Sequence, residues 1–166
     1  DLDLRWRVLV RLAVLGAVDR AELAEHLERE RTTEASVHHV RAVSALPDAP
    51  AKELAWSHFT GATAATNYEI EAAGRGLWRR GQEHLTDPYV ERYFAELPGT
   101  ATVRSGWMLA DAARDFFPRL AVDVGTVERA RALADDESLD RSLRRALVDA
   151  GDDLAGALRA RATFWR

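Results

Sequence analysis

The chain has no cysteine, which rules out a disulfide framework and thiolate chemistry. It has one lysine, Lys52; every other basic side chain is an arginine. Long apolar runs are missing too. The longest, Leu12 to Val18, is far short of the ~20 residues that span a bilayer, and no signal-peptide pattern opens the sequence. No stretch alternates with a period of two over a useful length, so no strand is predicted. The net charge of -4 gives no reason to expect nucleic acid as a partner. Neither a membrane nor a nucleic acid is therefore an expected partner, and a reducing compartment, the cytoplasm, is the expected location.

Reaction signatures are absent as well. There is no H-E-x-x-H zinc motif and no G-x-S-x-G elbow. Gly74, Gly76 and Gly81 follow no strand and precede no G-K-[ST], so they make no phosphate loop. Of the five histidines, His38 and His39 are adjacent and point about 100° apart on a helix. They cannot converge on a metal without a third group. Asp135, Asp136 and Glu137 are read as an acidic helix start that complements the helix dipole. No catalytic residue, metal ligand or cofactor is expected in these residues.

What is present is helix. With 47% hydrophobic and 30% charged residues, the 166-residue chain is globular and long enough for one domain, expected to span 1–166. Asp1 is not a natural start residue, which suggests a fragment of something longer. The pattern predicts helices over 2–15, 20–30, 33–46, 50–60, 67–80, 88–97, 101–116, 126–135 and 139–163. Asp19 with Glu22, and Thr66 with Glu69, read as capping boxes. Asp87 and Pro88 read as cap and first residue of the sixth helix, with Pro98 closing it. Leu139, Leu143, Leu147, Ala150, Leu154 and Leu158 form one stripe down the last helix. The first helix is apolar nearly all round from Val8 to Leu15 and is predicted to be buried between neighbours. The architecture is all-α: an irregular solenoid of antiparallel helical hairpins, with a compact bundle as the alternative.

The segment from Ala73 to Pro98 concentrates glycine, aromatic residues and arginine. Tyr89 and Tyr93 lie one turn apart. Either they glue a short helix into the core with their hydroxyls at the edge, or they form a groove wall. In the second case Arg75, Arg79, Arg80 and Arg92 would supply fixed positive charge able to grip a peptide carboxylate.

Several motifs then stand in order along the chain: Arg5-Trp6; Pro47-Asp48 with Lys52 and Trp56; Asn67; Gly76-Leu77-Trp78; Pro88-Tyr89-Val90 with Tyr93-Phe94; Phe117-Pro118; Arg144-Arg145; and Arg159 with Arg161. In these the chain resembles the C-terminal helical, HEAT-like domain of the aminopeptidase N family of zinc aminopeptidases, in its actinobacterial form. It departs at Leu77, where the family usually has phenylalanine, and at Glu30-Arg31-Thr32. The resemblance implies a multidomain peptidase that removes N-terminal residues from peptides. Its zinc would be held in a separate catalytic domain carrying H-E-x-x-H and a G-x-M-E-N segment, neither of which occurs here. This domain would close over the catalytic cleft and shape the substrate chamber. Its partners would be that catalytic domain and peptide substrates. The candidate lining residues are Tyr68, Arg75, Trp78, Arg79, Tyr89, Arg92 and Tyr93. Apolar surface left by such a cut, at Leu2, Leu4, Phe164 and Trp165, would bring two copies together as a dimer. Two other readings remain: a free-standing HEAT-like interaction module, and a ligand-binding helical domain of a transcription regulator.

Overall fold

Local sequence signals account for most helix starts in the computed structural model, which describes residues 1–164, without the side chain of Phe164. The Asp19 carboxylate accepts from the Glu22 amide at 2.9 Å while Glu22 reaches back to the Asp19 amide at 2.8 Å. Thr66 and Glu69 repeat the arrangement. Asp48, Thr32 and Asp123 cap three more helices, each side chain accepting from a backbone amide three residues on. Gly61 ends the fourth helix at φ 81°, in the left-handed region that glycine enters without a Cβ penalty.

Nine α-helices and one 3-10 helix result among the described residues, with no strand. They are α1 (Leu2–Val14), α2 (Arg20–Glu30), α3 (Thr33–Ser44), α4 (Ala49–Thr60), α5 (Asn67–Leu77), α6 (Glu83–Glu96), the 3-10 helix (Leu97–Thr102), α7 (Gly106–Phe116), α8 (Val124–Ala134) and α9 (Arg141–Phe164). The fold is all-α, as predicted. No helix among the described residues is long and apolar enough to cross a membrane.

Three boundaries differ from expectation for identifiable reasons. Helix α6 starts at Glu83, so Pro88 sits inside it rather than at its first position. Its first turn is held by the Leu85 and Thr86 amides bonding to the Gln82 carbonyl at 2.9 and 3.2 Å. Residues 97–102 coil as a 3-10 helix, because Thr100 and Thr102 turn their hydroxyls back onto the carbonyls of Leu97 and Gly99, each at 2.7 Å. Helix α7 therefore starts at Gly106, not near residue 101. Trp78 leaves α5 in an extended conformation, ending it short of residue 80. The Asp135–Glu137 knot follows the end of α8 and precedes α9 by several residues. Asp136 there closes a local turn by accepting from the Ser138 amide and hydroxyl.

The chain divides into two compact units, Asp1–Thr86 and Asp87–Arg166. In the first, α3 is central, packing on α1, α2, α4 and α5. Its core gathers Trp6, Leu9, Ala13, Leu23, Ala35, Ala42, Val43, Leu46 and Ala51. Helix α1 buries one face only. Leu4, Val8 and Leu15 on its other side are 60%, 51% and 60% exposed, so the expectation of burial all round is corrected. A run of apolar residues shows that a helix has more than one apolar side; it does not supply the neighbours to cover each. Leu2 packs against the core, and Trp165 lies outside the described residues.

In the second unit α9 packs on α7 and α8. Its predicted stripe faces inward, with Leu139, Leu143, Leu147 and Leu154 buried. Tyr93, Phe94 and Phe117 meet edge to face, with Tyr93 and Phe117 centroids 5.6 Å apart.

Candidate functional site

Close approach of α5 to α3 builds the site in the first unit. The sequence of α5 is rich in small residues over Ala72, Ala73, Gly74 and Gly76, all buried. A Cβ on Gly76 would lie 2.5 Å from the Arg41 carbonyl oxygen and 2.6 Å from the Ser44 Cβ. Only glycine allows the two backbones to come this near. The start of α5 is tied to α3 as well, since the Ser36 hydroxyl donates to Glu69 at 2.9 Å. Partial desolvation alone would raise the Glu69 pKa. The Thr66 amide, the Ser36 and Thr66 hydroxyls and the nearby His58 outweigh it and hold the carboxyl below its usual value.

Beside this crossing runs a groove of about 180 Å³ lined by Val37, His38, Arg41, Tyr68, Glu71 and Arg75 with Ala72. Tyr68 is 69% exposed and stands at its edge. Arg75 pairs with Glu71 one turn back on α5. The Nε of Arg41 is buried without a hydrogen-bond partner among the described residues. A planar guanidinium with an unused donor, beside a second guanidinium and a phenol, suits a carboxylate or another planar anion.

The candidate lining residues thus separate. Tyr68 and Arg75 share this groove, with His38 and Arg41, which the sequence did not offer as lining residues. Trp78, Tyr89 and Tyr93 are 3%, 7% and 1% exposed and belong to the interior. Arg79 turns back to donate to the Gly76 carbonyl. Arg92 lies 4.9 Å from the Tyr89 ring centroid and pairs with Glu96 at 2.8 Å. The Tyr93 hydroxyl, expected at an edge, is wholly buried and donates to the Ala113 carbonyl at 2.7 Å. Burial pushes its pKa far up, so it stays a donor.

Buried polar groups recur at helix ends. Lys52, fully buried, donates from Nζ to the Ser44 carbonyl at the end of α3 at 2.9 Å. Gln82 donates to the Val14 and Ala45 carbonyls at 3.2 and 3.0 Å, joining the ends of α1 and α3. These carbonyls have no partner within their own helices. Each of these side chains fills an obligation of the backbone.

In the second unit α7 and α9 frame two further cavities, of about 290 and 470 Å³, which share Arg114 and Asp149. Trp107, 66% exposed, stands on the larger.

Comparison with known proteins agrees with this architecture. The model of the family described as ERAP1-like C-terminal domain matches residues 1–155. The chain is also similar to a protein of Streptomyces lividans named Aminopeptidase N, at 31% identity over 162 residues, covering 98% of this chain and 19% of that protein. It therefore spans about a fifth of the length of that curated relative. A family match over nearly the whole length of an all-helical chain settles its membership: the chain belongs to the ERAP1-like C-terminal domain family.

Proposed function

We propose that this chain is the non-catalytic C-terminal domain of a zinc aminopeptidase, a polypeptide that removes N-terminal residues from peptides in the cytoplasm. In this reading 1–166 is one helical domain of a longer enzyme. Its helices form a superhelical cap over the catalytic cleft and shape the chamber in which the substrate lies. Its partners are the catalytic domain of the same polypeptide and the peptide itself. The observation that carries the reading is the match to Aminopeptidase N over 98% of this chain but only 19% of the relative.

The residue inventory supports this division of labour. A peptidase zinc centre of this kind needs two histidines one helical turn apart, with a glutamate beside the first to activate water. These 166 residues contain no such pair, so they do not fit that centre and no bond-breaking step is assigned to them. What they offer a peptide is positioning. In the α3–α5 groove, Arg41 and Arg75, the latter paired with Glu71, stand beside the exposed Tyr68 ring. We assign them to the chamber wall, where they would hold a substrate carboxylate. Trp78 and Arg79 would support that wall from within, and Tyr89, Arg92 and Tyr93 would brace α6 in the second unit.

R75A and Y68A in the full-length enzyme test the assignment, because both positions are exposed and tolerate truncation. KM should rise for peptides ending in a free carboxylate and stay unchanged for aminoacyl anilides, with kcat for the anilide unaffected. An equal loss on both substrate types would overturn it.

A further inference from the structure

The N-terminal parts of α1 and α3 bring together Asp3, Glu34 and His38. Asp3 lies in the first turn of α1 and Glu34 in the first turn of α3. His38 is one turn beyond Glu34 on α3, so the two share a helix face. Helices α1 and α3 pack on each other, and Asp3 of α1 reaches His38 of α3. One ligand atom from each of Asp3, Glu34 and His38 lies within 4.8 Å of the others. His38 Nε2 lies 3.0 Å from Asp3 Oδ1.

Three features set this cluster apart from ordinary surface acids. The imidazole is fixed in place. It stacks at 9° on the Trp6 indole with centroids 6.3 Å apart, and Trp6 is itself fully buried and anchored by donating from Nε1 to Glu30 at 2.7 Å. Among the described residues the carboxylates are not neutralised by an arginine, and the neighbouring Arg5 is committed to Glu30. The spacing is that of a ligand set. Ligands at ~2.0–2.2 Å from a tetrahedral ion lie roughly 3.4 Å from one another. Asp3 Oδ1 and His38 Nε2, 3.0 Å apart, already lie inside that spacing, and the Asp3 and Glu34 side chains are exposed.

We propose that Asp3, Glu34 and His38 form a divalent transition-metal site that staples the start of α1 to α3. An imidazole with two carboxylates suits zinc, cobalt or nickel, whereas magnesium and calcium prefer oxygen alone. The two carboxylates neutralise the ion. Nε2 gives up its contact with Asp3 to bind the metal and the ring proton resides on Nδ1. A fourth position stays open to water. Because the ligands come from two helices, the ion binds the folded chain in preference to the unfolded one and stabilises it.

Titration of the chelator-treated 166-residue chain with zinc chloride, by calorimetry and by thermal melting, tests the site. One saturable zinc per chain and a rise in Tm are expected, with no response to magnesium. H38A and E34Q should each lose both effects, while H84A, which alters an exposed histidine elsewhere, keeps them. Far-UV circular dichroism shows that each variant is folded, and E34Q decides the matter should H38A disturb the Trp6 stack. Absence of saturable binding, or binding that survives in E34Q and H38A alike, would overturn the proposal and leave Asp3 and Glu34 as helix-terminal carboxylates.

Discussion

The Lys52 ammonium sits 2.9 Å from the Ser44 carbonyl oxygen, entirely out of reach of solvent. Desolvation by burial, with the nearby positive charge of Arg79, brings its pKa down from 10.5 to about 8, against a smaller opposing effect of Asp48. The unfolded chain keeps this proton up to 10.5, whereas the folded chain releases it near 8. Between these values the unfolded state binds more protons, so raising the pH favours folding; below 8 both states are charged and the burial cost is present in full. From about pH 8 to 9.5 the gain is about 1.5 kcal/mol, since the slope rises from half of about 1.36 kcal/mol per pH unit at the folded pKa toward the full value. Urea unfolding at the two pH values should show this gain, and K52M should abolish it.

Gly76 permits the close packing of α5 on α3, since an added methyl would meet the Arg41 carbonyl at 2.5 Å. G76A is expected to cost about 1–3 kcal/mol by overpacking against backbone that cannot move aside. At Gly99, where an added Cβ meets nothing within 4 Å, G99A should stay within about 0.5 kcal/mol of the parent. Paired denaturant titrations give both values.

The last carbonyls of α7 rely in part on a side chain from α6. Removing the hydroxyl in Y93F leaves the Ala113 carbonyl without its 2.7 Å donor in a buried setting. The expected loss is about 1–2 kcal/mol, with the helical content of the folded state unchanged by circular dichroism.

Glu69 links the α5 cap to Ser36 on α3 through its ionised form. Its folded pKa lies below 4.5, so its contribution to stability is complete above that pH and disappears as the pH falls through the folded value. E69Q should flatten the acid limb of a plot of stability against pH while changing the neutral region less. An acid limb identical in the two proteins would show that the cap does not depend on the charge.

The parts of this fold legible in the sequence are those fixed over a few residues. The Asp19–Glu22 and Thr66–Glu69 boxes join groups three positions apart, and the α9 stripe repeats within a single helix. Pro88 misled because its fitness for a first helical turn is a local preference, while the Gln82 carbonyl starts the helix earlier. The α3–α5 groove was out of sight because Arg41 and Tyr68 meet only once the two helices pair. The small residues ending at Gly76 take on meaning as a close crossing only once α3 lies opposite them. The Asp3–His38 contact depends in the same way on the packing of α1 against α3, and on the Trp6 ring that orients the imidazole.

The account rests on a separation of roles, with shape and substrate positioning here and peptide hydrolysis in the remainder of a longer polypeptide. Assaying the purified 166-residue chain against an aminoacyl p-nitroanilide with zinc added, alongside the full-length enzyme, tests it most directly. The account predicts hydrolysis by the full-length enzyme and none by the isolated chain. Metal-dependent release of p-nitroaniline by the isolated chain would contradict it.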